Sequence, residues 1–276
     1  MDTWSSVINY FQGLEQRPLE RMAMLVGGLL VFWILEGAIP VFSLRYRTTK
    51  LNHAAVNFAF TIIHLVIHSI LAIFIVQLSD WCQLHSVGLI HLTNANVGWT
   101  ILMAILALDF SSWLVHWVMH RQSWLWKFHL IHHSDTKVDV TTGLRHHPGD
   151  SFLRGLFFIL FIFLSGAPMY AVMIYQTLVV GFTAFTHANI ALPANIDKGL
   201  SYLFVSPNMH KVHHHRLQPY TDTNYGAVLS IWDRWLGTFS QLAIKDIRYG
   251  IDRYYPADKD EELGTLLKKP FLPSQD

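Results

Sequence analysis

Residues 22–44, 54–78, 98–118 and 152–187 are almost entirely apolar. Each run reaches the ~20 residues that carry a helix across the hydrocarbon core of a bilayer. The last is interrupted by Ser165-Gly166-Ala167-Pro168, a turn signal, so it reads as a hairpin that enters and leaves on one side. The expected fold class is therefore all-α: an integral membrane helical bundle of three spans plus a membrane hairpin. Composition agrees, with 52% hydrophobic and only 14% charged residues. A soluble domain carries about a quarter charged residues. Mean hydropathy is +0.30.

Around these runs the chain divides into an N-terminal membrane region of two spans (1–97), a central region (98–240) and a polar C-terminal tail (241–276). Residues 1–21 are polar and aromatic and lack a small-residue cleavage site, which argues against a removable signal peptide. Residues 79–97 read as a loop between spans, and Ile231–Gly237 as an interfacial amphipathic stretch with Trp232 and Trp235. Basic residues gather at 45–50, 121–154 and 198–216, which assigns those segments to the cytoplasmic side. The expected location is a bacterial inner membrane or the endoplasmic reticulum, with the polar cap facing the cytoplasm. A formal net charge of +1 gives no sign of nucleic-acid binding. The single Cys82 excludes an intrachain disulfide framework and cysteine-based zinc or iron–sulfur sites.

Histidine is the anomaly. The chain has 17, and twelve of them fall between His116 and His215. His116 and His120 are spaced HxxxH; His129, His132 and His133 form HxxHH; His210, His213 and His214 repeat it; His187 stands alone before Ala188-Asn189. On a helix, residues three and four apart share a face, so each cluster offers several imidazoles to one side. With His147 there are ten candidate ligands, enough for two metal ions. Imidazole suits zinc, copper, iron and nickel. Asp109 lies at i−7 from His116 on the same face, where a carboxylate to steady a ligand imidazole is expected. His64 and His68 share a ligand-like spacing but sit deep in an apolar run, and read as packing or hydrogen-bonded residues. Glu36 reads as an acid near an interface or facing other helices, having no ionisable partner close by.

His-Glu-x-x-His is absent, so the zinc protease signature is missing. A haem held by two histidines calls for opposed pairs in mid-span, not clusters at helix ends. His147-Pro148-Gly149-Asp150 nearly copies a cytochrome b5 haem signature, but it is flanked by apolar spans instead of a polar domain. Two zinc ions suit the ligands. Iron explains more, because an iron pair activates dioxygen against an unactivated C–H bond. The rival from another class is a metal-binding membrane protein without oxidase chemistry, such as a zinc carrier or sensor. Such a carrier needs a polar path through the spans, for which only Glu36, His64, His68 and Asp109 are available.

Taken together, the motifs over residues 98–240 resemble the fatty acid hydroxylase and sterol desaturase superfamily of membrane di-iron oxidases. Asp109, His116, His120 and Arg121 match its HxxxHR helix; His129, His132 and His133 its HxxHH; Arg145, His147 and Pro148 its Arg-x-His-Pro. His187 and Asn189 match His-x-Asn, and His210, His213 and His214 the second HxxHH. Asp222, Asn224, Tyr225, Gly226, Trp232, Asp233, Gly237 and Thr238 match the closing signature. Asp150 stands where the family often has Glu, and His146 and His215 are additional histidines next to motif positions. The resemblance implies two Fe ions and O2 as co-substrate, used to hydroxylate or desaturate a lipid C–H bond. It implies Asp109, Asp150 and Asn189 as partners for ligand imidazoles. It further implies a lipid substrate drawn from the bilayer and an external electron donor, a ferredoxin or a cytochrome b5 with its reductase.

Overall fold

The computed structural model describes residues 3–46, 49–252 and 262–272. Arg47 of the basic flank, and positions 253–261 and 273–276 of the tail, lie outside them. Among the described residues the chain is helical, with isolated bridges and no strand. The principal helices are α1 (Thr3–Leu14), α2 (Pro18–Ala38), α3 (Lys50–His85), α4 (Val97–Arg121), α5 (Ser123–His133), α6 (Pro148–Ser165) and α7 (Met169–His187). Short helices α8 (Ala194–Leu200), α9 (Pro207–His213), α10 (Ile231–Trp235) and α11 (Leu263–Lys268) follow.

Local chemistry sets these boundaries. Thr49 caps α3 by accepting from the Asn52 amide, and Asn96 caps α4 by accepting from that of Trp99. Pro148 sits in the first turn of α6, where its missing N–H costs nothing. Gly166 ends α6 at φ 69°, and Pro168 precedes α7. This is the hairpin expected from Ser165–Pro168. Its turn lies so close to the 87–88 segment that a Cβ on Gly88 would collide with the Gly166 backbone and one on Gly166 with the Val87 carbonyl.

Five helices, α2, α3, α4, α6 and α7, are long and apolar enough to cross a membrane. Their outward faces carry Leu30, Ile34, Ile62, Val66, Ile70, Phe74, Leu156 and Leu160 exposed. An apolar belt of this extent belongs in lipid. The core between the helices joins Ile75, Leu108, Ile162, Val172 and Tyr175.

Two boundaries differ from the sequence reading. Within the 1–21 flank Thr3–Leu14 form α1, whose Leu14 is buried in the core that α7 helps to build, and α2 already starts at Pro18. Positions 79–85 extend α3 instead of starting a loop, because Ser79 Oγ and Gln83 Nε2 donate to the carbonyls of Ala167 and Gly166 in the hairpin turn. At 1.5 Å per residue α3 runs ~54 Å, well beyond a ~30 Å hydrocarbon core. Its first turns consequently reach the polar end of the bundle. There His53 Nε2 donates to Asp135, and Asn57 Nδ2 donates to Thr141 Oγ1.

Candidate metal centre

At that end the C-termini of α4, α5 and α7 meet α9, and nine histidines converge. They form two groups. In the first, ligand atoms of His116, His120, His129, His133 and His213 all lie within 4.8 Å of one another; the second joins His132, His187, His210 and His214 on the same criterion. The groups adjoin, with the His133 and His214 rings stacked 4.7 Å apart.

Helix geometry explains the division. Positions i and i+4 differ by 40° around the axis, whereas i+3 falls 60° to the other side. On α5 the i, i+4 pair His129 and His133 enters the first group, and His132 turns to the second. At α9 the assignment reverses: His210 and His214 enter the second group and His213 the first. Each HxxHH thereby serves both groups.

The hydrogen-bond partners of the rings fit a metal. His116 and His213 donate from Nδ1 to the carbonyls of Tyr225 and Thr223, and His187 to that of Thr183. His120 and His129 donate from Nδ1 to Asp222 Oδ1 (3.1 Å) and Asp150 Oδ2 (2.9 Å). With the proton held on Nδ1, each neutral ring turns a bare Nε2 inward. His116 Nε2 faces His129 Nε2 at 2.9 Å. His187 Nε2 faces those of His210, His132 and His214 at 3.0, 3.2 and 3.3 Å. His116 and His129 both hold their proton on Nδ1, so their facing Nε2 lone pairs repel, and a cation between them removes the conflict. Further buried ring nitrogens have no hydrogen-bond partner: Nε2 of His120 and His213, and both nitrogens of His133. Such orphans call for an explanation, and an ion supplies one. Burial pushes His129 down to about 3, and holds His132, His133, His210, His213 and His214 well below the usual histidine range. They stay neutral at pH 7, the form that binds metal.

Of the ten histidines expected as ligands, His147 is not brought to either group. It caps α6, accepting from the Gly149 amide at Nδ1 while Nε2 donates to the Leu267 carbonyl. The three supporting residues separate. Asp150 accepts from candidate ligand His129, is held by Arg154 Nε at 2.6 Å, and also accepts from His146 Nδ1. His146 is half-buried and stacks on His132 at 4.7 Å. Asp109 touches no imidazole. Seven residues is ~10 Å along a helix, too far from His116, and the carboxylate instead accepts from Tyr175 Oη, the Val228 and Leu229 amides and Trp232 Nε1. Asn189 likewise misses the histidines, its amide pairing with both backbone groups of Phe42. Asp222 was visible as a motif residue, but its hold on His120 was not.

Asp109 thus pins residues 228–232 against α4. Each buried donor left without an acceptor costs about 1–3 kcal/mol. Asp109→Ala is expected to lower stability by about 3 kcal/mol or more, seen as a lower thermal midpoint, with the metal-to-protein ratio of the folded fraction unchanged.

This arrangement defines an all-helical integral membrane protein with two histidine groups able to hold metal ions. The Fatty acid hydroxylase family model matches residues 101–238, and the chain belongs to that family. It is 30% identical over 140 residues to ornithine lipid hydroxylase OlsE of Rhizobium tropici, covering 50% of this chain and 41% of that protein. It is 32% identical over 154 residues to alkylglycerol monooxygenase of Danio rerio (55% of this chain, 33% of that protein). The human alkylglycerol monooxygenase is 30% identical over 153 residues, with the same coverage of each chain. The matched stretch is therefore less than half of each relative's length. No solved structure matches the chain.

Proposed function

We propose that this protein is an O2-dependent lipid hydroxylase with two iron ions, one in each histidine group. The observation that carries the proposal is the convergence of nine buried imidazoles into two adjoining groups with bare nitrogens turned inward. His116, His120, His129, His133 and His213 would hold one ion; His132, His187, His210 and His214 the other. Iron bound there supplies the ability to engage dioxygen and break an unactivated C–H bond.

The chain's own residues do the rest. Asp150, Asp222 and the carbonyls of Thr183, Thr223 and Tyr225 keep the protons on Nδ1 and orient the rings. Burial of the group keeps bulk water from the reacting atoms. The apolar belt lets a lipid chain approach from the bilayer. The overall balance is R–H + O2 + 2 e⁻ + 2 H⁺ → R–OH + H2O. The two electrons come from an external donor of the ferredoxin or cytochrome b5 kind, docking on the cap at the cytoplasmic face.

Hydroxylation is favoured over desaturation because the relatives are named a hydroxylase and monooxygenases. A metal carrier is disfavoured, since three of the four polar residues that would line its path are already engaged, His68 with its unpartnered Nε2 being the exception. Glu36 is bound to Val140, Asn189 and Lys50, His64 to Ser151, and Asp109 to four donors. Comparison of lipids from cells with and without the active chain tests the proposal. A lipid class heavier by 16 mass units is expected; loss of 2 units would point to desaturation, and no shift to neither.

A further inference from the structure

The family match begins at residue 101 and leaves the first two long helices without a role. Yet the C-terminal end of α2 grips the chain directly beyond His187. Glu36 is buried, its side chain 2% exposed. Its Oε1 accepts from the Val140 amide (2.6 Å) and the Asn189 amide (2.7 Å), and Oε2 from Lys50 Nζ (2.7 Å). Asn189 lies two residues after His187. Val140 opens the 3-10 turn Val140–Leu144, in which Gly143 packs so closely that a Cβ would sit 3.2 Å from His187 Nδ1. One carboxylate oxygen therefore fixes both backbone segments beside this ring.

The surrounding contacts make a latch of it. Val41 N donates to the Asn189 carbonyl and Ala191 N to that of Ile39, across the Pro40–Ile190 bridge. From the opposite side, buried Lys211 of α9 donates to the Ala188 carbonyl at 2.9 Å. His187 is the ring on which the second group centres, since its Nε2 faces the other three. A constellation of this kind works only within about 0.5 Å of its geometry.

We propose that Glu36 is the positioning residue of the four-histidine group. It holds the end of α7 so that His187 Nε2 stays at the meeting point of His132, His210 and His214. This rests on reading that group as a metal site. The five-histidine group, which has no bond to Glu36, is independent of it.

The test compares Glu36→Asp with Glu36→Gln in the full-length, detergent-purified chain, stripped of metal and titrated with Co(II) and with Fe(II). Gln keeps the length and an acceptor for both amides; Asp keeps the charge but withdraws by one methylene. Wild type is expected to take up two ions. Glu36→Asp is expected to weaken one by about 10–100-fold, the usual effect of a lost supporting contact, and to leave the other unchanged. Glu36→Gln is expected to stay within about threefold of wild type at both, because Lys50, stacked on Trp33 at 4.3 Å and partly exposed, turns to solvent. Two ions of unaltered affinity in Glu36→Asp, equal weakening of both, or a larger defect in Gln than in Asp would overturn the assignment. A wild-type chain that binds no metal would overturn the parent reading, and this inference with it.

Discussion

His132→Ala is expected to cost one metal ion and all activity, and His213→Ala to cost the other ion with the same loss of activity. The two residues occupy the i+3 position of their respective HxxHH motifs, yet they belong to opposite groups. Removing His132 leaves His187, His210 and His214, with the first group complete. Removing His213 leaves four imidazoles in the first group and spares the second. Loss of a direct ligand exceeds the 10–100-fold effect of losing an outer partner, so hydroxylation falls to background in both. Metal analysis of each purified variant, with absorption spectra of the cobalt-substituted forms, checks the pattern. Two retained ions in either variant, or identical residual spectra in both, would contradict the division into two groups.

Acid is expected to unfold the metal-free protein steeply, beginning near pH 6.5. Burial holds His129, His132, His133, His210, His213 and His214 below the ordinary histidine value of about 6.5. Between the folded and unfolded values the unfolded chain binds more protons, so stability declines as pH falls. The contribution is fully present above about pH 6.5 and is lost downwards from there, to about 3 in the case of His129. Each such histidine costs about 1.4 kcal/mol per pH unit. Six together match the ~5–15 kcal/mol stability of a typical domain within about two units. The thermal midpoint of the metal-free protein in detergent, followed from pH 8 to pH 4, is expected to be flat above pH 7 and to collapse below 6. Bound metal competes with protons for the same nitrogens and should move the collapse to lower pH. A midpoint that rises on acidification would contradict neutral burial of these rings.

Much of this architecture is legible in the sequence because it depends on short-range spacing. The apolar runs, the Ser165–Pro168 turn and the i, i+3, i+4 histidines each report a period set by the helix itself, and the hairpin returns His187 to His132 as the metal reading requires. The partners of the polar residues are a different matter, because they lie far along the chain. Asp109 shares a helical face with His116, but its donors come from 228–232 and from Tyr175, positions that no periodicity connects to it. Asn189 follows His187 by two residues and pairs with Phe42, 147 residues away. Glu36 reads as partnerless because two of its three donors are the main-chain amides of Val140 and Asn189. His147 matches a motif yet serves as a helix cap, a role that depends on the Leu267 carbonyl reaching its other nitrogen. His146, read as an addition beside the motif, stacks on His132.

The most direct test is the iron content and Mössbauer spectrum of the wild-type protein, purified without chelators from cells grown on ⁵⁷Fe. Two iron ions per chain are expected in two distinct nitrogen-rich environments, five imidazoles available in one and four in the other. A single iron per chain, a haem spectrum, or a stoichiometric content of zinc with no iron would contradict it.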